Sequence, residues 1–423
     1  MSGTGTPRTA VQRPVALVSV PAGSAGLALL ADVLPPALAG NGVVALVPQY
    51  APAAVRTAIR RAVTPNSPLP VDAAVICPTS GSTGQPRGVV LTSQQMRAAA
   101  RTRDEAQGGG SAWLLGVPPV TAPALAALVR ASRVGAPVAT WRDAGIGAFD
   151  AAAFMADAQA LLASAAACGL PARASIVAAQ LRRLLHTGSA ADTLARFDAV
   201  LVGGGPTSHQ LVAEAAGAGV RLVRTYGMTE TFGGCVYDGH ALPGVHVRID
   251  APDANGVGQV LLGGSTLAAG YARGPLPRVD DLLATGDRGR LVPVDPGLSG
   301  DSTMGGTRLE LRGRSDEVIT VGGTNVDLAA VSAAVADVPA ADDSAVVALP
   351  APDGGHRLVA FVVPDAASAD QAGADPDGLV STVRAAVGAA LGRAARPSVR
   401  VVPALPRLPG GQVDLQRLAE EAQ

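Results

Sequence analysis

The chain alternates short apolar, β-branched runs with longer alanine-rich stretches. Apolar runs bounded by turn residues are typical of buried strands, whereas apolar residues at helical spacing, as at Leu181, Leu184 and Leu185, indicate a helix. The pattern therefore predicts buried strands at VALVSV (15–20) and VVALVPQ (43–49), and helices over residues 151–167 and 175–186.

The order of strand, turn, helix and strand is clearest between residues 198 and 227. DAVLVGGG (198–205) predicts a strand that runs into a glycine turn, and Thr207 is a candidate N-cap for a helix that extends to about Ala216. RLVRTYG (221–227) predicts the next strand. Such alternation implies a parallel sheet with helices on its faces, so the predicted fold class is α/β.

The pattern changes after about Tyr237. Short strands separated by Gly, Pro and Asp, which are typical of a small antiparallel barrel, are predicted at HVRIDA (246–251), GQVLLGG (258–264) and TRLELRG (307–313). A smaller segment then returns to strands at SAVVALP (344–350) and HRLVAFVVP (356–364), and to a helix around 379–394. Residues 296–306 and 366–377 are rich in small and polar residues and are predicted to be surface loops.

The charge of the chain favours no polyanionic partner. The 33 basic and 34 acidic residues give a formal net charge of −1, which supplies no electrostatic reason to expect nucleic acid or an anionic membrane surface. The sequence contains no lysine, so every basic residue is arginine. Lysine chemistry is therefore excluded anywhere in the chain.

Two further features bear on location. The apolar stretch 14–31 is interrupted by Pro21 and Gly23, and no unbroken run reaches the roughly 20 apolar residues of a membrane span, so we expect neither a signal peptide nor a membrane segment. The three cysteines are widely spaced and odd in number, which indicates neither a disulfide framework nor a metal site. A reducing, cytoplasmic location is predicted.

The most distinctive polar segment is PTSGSTGQPRGVVL (78–91). Consecutive Thr, Ser and Gly residues can present backbone N–H groups and hydroxyls to an oxyanion, and Gly81 and Gly84 let the backbone approach closely. The segment is not a Walker A loop, since it lacks G-x-x-x-x-G-K-[ST]. Taken alone, it also fits an ordinary polar hairpin loop.

Other candidate residues follow predicted strands. YGMTE (226–230) would face the ligand crevice at the carboxyl end of a parallel strand, where Glu230 offers an oxygen ligand for Mg²⁺ and Thr229 a hydroxyl for phosphate. A solvated carboxylate at a strand end is the alternative. TGD (285–287) and GR (313–314) are each common in ordinary turns.

The order of these segments is more specific than any one of them. TSGSTGQPRGV, GGGP (203–206), YGMTE, ATGD (284–287), GRSDEVITVGG and LPRLPGGQVDLQRL (405–418) occur in the order found in the adenylate-forming superfamily of acyl-CoA ligases, luciferases and nonribosomal adenylation domains. The chain resembles this superfamily from about residue 70 to its end. The short region before the phosphate loop and TYGMTETFGGCVYDG (225–239) make it most similar to o-succinylbenzoate–CoA ligases.

The resemblance implies a domain layout. A large N-terminal domain over residues 1–315 would contain two sheet-plus-helix subdomains and a small β-barrel at about 237–312. A hinge at Asp316 would join it to a mobile α+β lid domain over residues 316–423.

The resemblance also implies roles for the matched residues. Tyr226 would pack on adenine, Asp287 would accept hydrogen bonds from both ribose hydroxyls, and Arg314 would support the ribose. The remaining nucleotide-binding residues would be Thr79, Ser80, Gly81, Ser82, Thr83 and Gly84 at the phosphates, and Gly203, Gly204, Gly205, Gly227 and Met228 near the adenine and acyl group.

The chemistry implied by the resemblance has two steps. A carboxylate attacks the α-phosphate of ATP to give an acyl-adenylate and pyrophosphate, and the thiol of coenzyme A then attacks the activated carbonyl. Thr229 would contact phosphate, Glu230 would hold Mg²⁺ when ATP is used, and Gly322 and Gly323 would approach the pantetheine tunnel when the lid rotates. The protein would supply positioning and positive charge where negative charge develops.

The chain departs from the family pattern in three places. Arg87 occupies the lysine position of the phosphate loop, which keeps the charge but changes its geometry. Val120 and Thr121 replace a histidine or aromatic residue that relatives carry, which predicts a reshaped acyl pocket. Gln412 replaces the lysine that bridges the substrate carboxylate and the α-phosphate in relatives. Loss of one such oriented charge typically costs ~3–4 kcal/mol, or roughly 10²–10³ in rate.

Three functions fit this pattern. The leading hypothesis is an acyl-CoA-forming enzyme that is deficient in adenylation but competent in thioester formation, with an acyl-adenylate that a partner ligase could supply. A second is a complete carboxylic acid–CoA ligase, for an acid such as o-succinylbenzoate, in which another group such as Arg407 or Arg417 replaces the lysine. A third is a non-catalytic protein that binds nucleotide or acyl-adenylate.

Overall fold

The computed structural model describes residues 10–79, 85–141, 149–294, 306–314, 318–351, 354–364, 376–407 and 413–423. Within these ranges the chain forms four sheets of three or more strands, with helices packed on their faces. A short two-stranded ribbon also joins β1 (Ala10–Val11) to β4 (Leu69–Pro70).

The first sheet is mixed. Its five strands are β2 (Val15–Val20), β3 (Val43–Pro48), β5 (Ala73–Thr79), β6 (Arg87–Thr92) and β16 (Gly270–Tyr271). Their order is β16-β6-β5-β3-β2, with β2, β3 and β5 parallel and β6 and β16 antiparallel to their neighbours. Both predicted strands are confirmed, but only β3 is buried throughout. The prediction of burial was wrong for β2, since it lies at the sheet edge and leaves Leu17 50% exposed.

The second sheet confirms the predicted parallel arrangement. Its seven strands are β7 (Ala112–Leu115), β8 (Val138–Thr140), β9 (Ala172–Ile176), β10 (Ala199–Val202), β11 (Leu222–Met228), β12 (Gly233–Tyr237) and β13 (His240–Ala241). The order is β13-β12-β11-β10-β9-β7-β8. Strands β7 to β11 are parallel, whereas β12 and β13 run antiparallel.

Helices cover both faces of these two sheets. The main core lies between the sheets and includes α1 (Gly23–Leu38), α3 (Ser93–Ala106) and α4 (Ala122–Ser132). Helix α2 (Ala53–Val63) packs on the other face of the first sheet. The other face of the second sheet carries α5 (Ala151–Ala167), α6 (Ala178–Leu185), α7 (Ala190–Ala195) and α8 (His209–Gly217).

Two predicted helix starts need correction. The helix predicted from residue 175 begins at Ala178, because Ser175 and Ile176 pair with β10 as part of β9. The helix after the glycine turn is capped by Ser208 rather than Thr207, since the Ser208 hydroxyl accepts a hydrogen bond from the Leu211 N–H at 3.2 Å. Both errors concern element ends, where strand pairing or a neighbouring hydroxyl decides the boundary.

Helix α3 begins with a reciprocal cap. The Thr92 hydroxyl accepts from the Gln95 N–H at 3.2 Å, and the Gln95 side chain accepts from the Thr92 N–H at 3.3 Å. Because Thr92 is fully buried, we expect Thr92→Ala to lower the free energy of unfolding by about 1 kcal/mol. Urea unfolding measures this loss. Thr57→Ala removes an exposed helix hydroxyl that bonds only to the Ala53 carbonyl, and a loss of equal size in that control would contradict the capping argument.

The third sheet is antiparallel, as predicted. It consists of β14 (Val245–Asp250), β15 (Gly258–Gly264), β17 (Arg278–Val279), β18 (Leu282–Pro293) and β19 (Thr307–Arg314). The order is β14-β15-β18-β17, and β19 pairs with the second half of β18. Closure of this sheet into a barrel stays a prediction. The predicted loop 296–306 lies outside the described residues except for Gly306.

The C-terminal part has its own core. A ribbon of β20 (Val318–Val321) and β21 (Thr324–Asp327) precedes a sheet of β22 (Ala341–Pro350), β23 (His356–Pro364) and β24 (Ser398–Val401). Helices α9 (Leu328–Ala336) and α10 (Pro376–Leu391) cover one face, and α11 (Leu415–Glu421) covers the other. The predicted helix 379–394 therefore starts earlier, so residues 376 and 377 belong to α10 rather than to the predicted loop, whose other residues lie outside the described ranges.

The described helices and the cysteines can be compared with the sequence. None of the described helices combines the length and apolar character that crossing a bilayer requires. Cys77, Cys168 and Cys235 are all free thiols, and only Cys168 is exposed.

Candidate active site

Strand β11 carries the YGMTE segment to the carboxyl edge of the second sheet. Residues 226–228 end the strand, Thr229–Thr231 form a single 3₁₀ turn, and Phe232 adopts a left-handed conformation at φ 56°. A Cβ atom on Gly227 would lie 2.3 Å from the Gly233 carbonyl oxygen, so only glycine fits this close approach. The turn therefore places Glu230 directly after the carboxyl end of β11.

The two residues predicted at the ribose, Asp287 and Arg314, lie beside Tyr226, which was predicted to pack on adenine. The Tyr226 hydroxyl donates to Asp287 Oδ2 at 2.7 Å, and Arg314 Nη1 donates to Asp287 Oδ1 at 2.9 Å. The Asp287 N–H donates to Thr285 Oγ1 at 3.0 Å, which fixes the backbone of the TGD turn. Burial and the Asp287 charge raise the pKa of Tyr226 well above its usual value, so its hydroxyl remains a donor. Tyr226, Asp287 and Arg314 form the ribose cluster.

A second cluster surrounds Glu230. The Tyr271 hydroxyl donates to Glu230 Oε1 at 2.8 Å, and Arg87 Nη1 donates to the same hydroxyl at 3.3 Å. The Arg87 guanidinium also lies 5.2 Å from the centroid of the Tyr271 ring. Burial and the Glu230 charge raise the pKa of Tyr271 to about 12, which keeps the phenol neutral at physiological pH. Arg87, Tyr271 and Glu230 form the phosphate-side cluster.

Glu230 is suited to a shared metal ion rather than a protein-enclosed one. It is only 8% exposed, and among the described residues its Oε2 atom has no hydrogen-bond donor. The same part of the chain contains no group of three metal-ligating side chains. Mg²⁺ is commonly held by one or two carboxylates together with substrate phosphates, so this single carboxylate fits Mg²⁺ that arrives with a nucleotide.

The phosphate loop is described only at its ends. Thr79, the last residue of β5, is half-buried and pairs with Arg87, the first residue of β6. Ser80, Gly81, Ser82, Thr83 and Gly84 lie outside the described residues. The two described ends of this segment, Thr79 and Arg87, are therefore adjacent, and Arg87 belongs to the phosphate-side cluster.

The glycine turn after β10 lies against β11. A Cβ atom on Gly203 would be 2.4 Å from Thr225 Oγ1, and Gly204 has φ +80°. Gly205 follows with open space around it. The turn therefore packs against β11, the strand that carries Tyr226, and its role at the adenine and acyl group stays a prediction.

The start of α4 borders the same region. Val120 is buried, and its carbonyl oxygen accepts from the Cys77 thiol at 3.3 Å. The Thr121 hydroxyl donates to the Pro118 carbonyl at 2.7 Å, so it is occupied within its own turn. A reshaped acyl pocket at Val120 and Thr121 stays a prediction.

Of the C-terminal candidate residues, Gly322 and Gly323 are described. Gly322 and Gly323 form the turn between β20 and β21 at φ +52° and +79°, and a Cβ atom on either would meet nothing within 4 Å. Asp316 and Gln412 lie outside the described residues. Arg407 and Arg417 each form an ion pair, Arg407 with Asp343 and Arg417 with Glu421 at 2.9 Å.

Sequence reasoning missed Tyr271 and Thr285 as individual residues. Thr285 was inside a motif that was noticed only for its aspartate. Tyr271 carried a weak signal, because the chain has only four tyrosines and each is therefore unusual in so aromatic-poor a sequence. Two of the four, Tyr226 and Tyr271, donate to a carboxylate at this site.

Comparison with known families accounts for most of the chain. Residues 24–272 match the AMP-binding enzyme family, and residues 330–411 match the AMP-binding enzyme C-terminal domain. A "Probable 2-succinylbenzoate–CoA ligase" of Mycobacterium tuberculosis is 37% identical over 415 residues, covering 95% of this chain and 98% of the relative. A 2-succinylbenzoate–CoA ligase of Enterococcus faecalis is 28% identical and covers 68% of this chain and 59% of the relative.

Solved structures share the fold. The o-succinylbenzoate coenzyme A synthetase of Bacillus subtilis, in complex with ATP and magnesium ion, superposes with a TM-score of 0.62 at 21% identity over 84% of this chain and 71% of that one. ATP-bound MatB of Rhodopseudomonas palustris gives a TM-score of 0.64 at 23% identity, covering 83% and 68% of the two chains.

Proposed function

The chain belongs to the AMP-binding enzyme family, and on that premise we propose that it is a carboxylic acid–CoA ligase of the 2-succinylbenzoate type. The observation that carries the proposal is the ribose cluster within a chain that matches a named relative of this type over nearly its whole length. An acid–thiol ligase needs to hold one adenylate through two steps, and the cluster provides a fixed carboxylate for that purpose.

The described residues divide the work between the two steps. Asp287 and Tyr226 would hold the adenosine in both, while Thr79 and Arg87 would contact the phosphates of ATP in the first. Bound Mg²⁺ would supply charge neutralisation on those phosphates, with Glu230 as its protein ligand. The CoA thiol would then attack the acyl carbonyl, and AMP would leave with its ribose still on Asp287.

A hinged lid is part of the proposal. The boundary at Asp316 would divide an N-terminal domain from a C-terminal lid. Arg182 of α6 donates to the Ala341 carbonyl at 3.1 Å, which places β22 against the second sheet's outer helices. The Gly322–Gly323 turn is open in this arrangement, which is consistent with a turn that approaches the acyl group only after the lid rotates.

We further propose that adenylation is the slow step. Adenylation brings a carboxylate and an α-phosphate together, and Gln412 supplies no positive charge where relatives carry lysine. The ion pairs of Arg407 and Arg417 leave neither guanidinium as an evident replacement. The thioester step attacks a neutral mixed anhydride, so it does not need that charge.

A second candidate function is thioester formation alone, with the acyl-adenylate supplied by a partner ligase. Gln412, in a chain without lysine, is the observation that favours it. The full-length relative named as a ligase favours a chain that performs both steps, and it also weighs against a purely nucleotide-binding role. Cytoplasmic location remains a prediction.

Substrate identity is tested by offering the acid directly. The protein is incubated with ATP, Mg²⁺, CoA and either 2-succinylbenzoate or benzoate, and the thioester is measured by mass. We expect the CoA thioester of 2-succinylbenzoate and little of the benzoate product. Thioester formed only from an unrelated acid would retain the ligase and reject this substrate.

The metal role of Glu230 gives a separate prediction. We expect Glu230→Gln to weaken Mg²⁺-dependent ATP binding by about tenfold, because a neutral amide is a poorer Mg²⁺ ligand than a carboxylate. Binding of an acyl-adenylate analogue should stay within about twofold, because that ligand lacks the β- and γ-phosphates on which the metal acts. Calorimetric titrations with and without Mg²⁺ measure both, and unchanged metal-dependent affinity would remove Glu230 from the site.

A further inference from the structure

Tyr271 lies between two groups that the proposed function places at the phosphates. Its hydroxyl donates its one proton to Glu230 Oε1 at 2.8 Å and accepts from Arg87 Nη1 at 3.3 Å. The three residues are distant in sequence: Glu230 precedes Tyr271 by 41 positions, and Arg87 precedes it by 184. A single phenol therefore joins the phosphate-loop strand to the metal carboxylate.

The backbone around Tyr271 is bonded to both partners. The Ala272 N–H donates to the Gly88 carbonyl at 2.7 Å and the Ala269 N–H donates to the Val90 carbonyl at 3.0 Å, which fixes the segment along β6. On the other side, the Ala268 N–H donates to the Glu230 carbonyl at 2.7 Å. The five-residue segment 268–272 is thus a bridge between the strand that begins with Arg87 and the turn that contains Glu230.

The neutral Tyr271 hydroxyl lies between the Glu230 carboxylate and the Arg87 guanidinium. Glu230 is buried, and a buried carboxylate is costly unless it is hydrogen-bonded. The bond comes from the neutral phenol, while the Arg87 guanidinium packs over the phenol ring. A direct Arg87–Glu230 ion pair would use both charges on each other, whereas the intervening hydroxyl leaves one carboxylate oxygen for a cation and the guanidinium for an anion.

We propose that Tyr271 is a positioning residue whose hydroxyl orients Glu230 for the metal and whose ring seats the Arg87 guanidinium beside the phosphates. The inference rests on the proposed function, since it takes these two residues as the metal and phosphate contacts. It also accounts for arginine at position 87, because a planar guanidinium can stack on the phenol and bond its oxygen, which a lysine ammonium does less well.

The test is a double-mutant cycle on magnesium-dependent ATP binding. Tyr271→Phe keeps the ring and removes only the hydroxyl. We expect it to weaken Mg²⁺-dependent ATP binding about tenfold, the usual size of effect for a group that orients a metal ligand. Metal-free ATP affinity and acyl-adenylate affinity should remain within about twofold of wild type, which also shows that the variant is folded. In the Glu230→Gln background, Tyr271→Phe should cause no further loss, because its effect passes through that carboxylate.

Tyr237→Phe is the matched control, since it removes another buried phenol hydroxyl outside the two clusters and should leave the magnesium dependence unchanged. Wild-type magnesium dependence that persists in Tyr271→Phe would overturn the inference alone. The same would follow from a loss that is equal in the Glu230→Gln background. If wild-type protein shows no magnesium-dependent gain in ATP affinity, the proposed function fails, and the inference fails with it.

Discussion

Replacement of Asp287 with alanine should weaken binding of an acyl-adenylate analogue by about 100-fold, because charge-assisted hydrogen bonds are each worth ~1.5–3 kcal/mol. The two oxygens of this carboxylate accept bonds from Tyr226 and from Arg314, and a carboxylate oxygen can accept more than one hydrogen bond, so contact with ribose hydroxyls is compatible with both bonds. Removal of the carboxylate also takes away the acceptor of these two bonds. Both half-reactions should suffer, since both use an adenylate-bearing ligand.

Asp253→Ala is the control for a turn aspartate in the same sheet. Its carboxylate accepts from the Asn255 and Val257 N–H groups at 2.8 and 3.0 Å and belongs to neither cluster. Asp287→Asn keeps the shape and tests the charge separately. If the alanine variant binds the analogue within twofold of wild type, Asp287 is an ordinary turn residue and the ribose assignment is wrong.

Gln412→Lys should accelerate adenylation by about 100-fold, the lower end of the effect expected for one oriented charge at a reacting phosphate. The lysine would neutralise the two anions that adenylation brings together. Transfer of a supplied acyl-adenylate to CoA should change by less than about twofold, because that step has no such pair of anions. Pyrophosphate exchange and CoA capture measure the two rates on the same variant.

Gln416→Lys places the same charge on the exposed side of α11, where the wild-type glutamine bonds Glu420. It should leave both rates unchanged. Equal acceleration by both lysines would mean that general charge, rather than the motif position, limits adenylation. Failure of Gln412→Lys to raise the rate would show that another group already does this work.

Strands of these sheets were predictable because the pattern that indicates a strand lies within its own short stretch of sequence. The buried β-branched run Val43–Pro48 predicts a strand from its own residues. The glycines after Ala199–Val202 predict a turn in the same way. The exposure of Leu17 was not predictable, because β2 and β3 differ in composition by one residue and only the strand order puts β2 at the edge. The start of α6 was misplaced for a similar reason, since pairing with β10 claims Ser175 and Ile176.

The candidate site divides in the same way. Tyr226, Asp287 and Arg314 stand in recognisable motifs, so their proximity could be expected before their 2.7 and 2.9 Å contacts were known. Tyr271 lies in none of the motifs that predicted a role. Its place depends on the pairing of β16 with β6, for example Gly270 with Val90, and a pairing between segments so distant in sequence leaves no local pattern. Arg87 seemed a simple exchange for lysine until its packing on that ring was known.

The claim that this chain performs both half-reactions, with adenylation as the slow one, is tested by their single-turnover rates on one preparation of the wild-type protein. The first reaction supplies 2-succinylbenzoate with ATP and Mg²⁺ and follows pyrophosphate release; the second supplies the preformed adenylate with CoA and follows the thioester. We predict that both reactions occur and that thioester formation is about 100-fold faster, as expected for an adenylation site in which Gln412 supplies no positive charge. Adenylation as fast as thioester formation, or no thioester from the preformed adenylate, would contradict it.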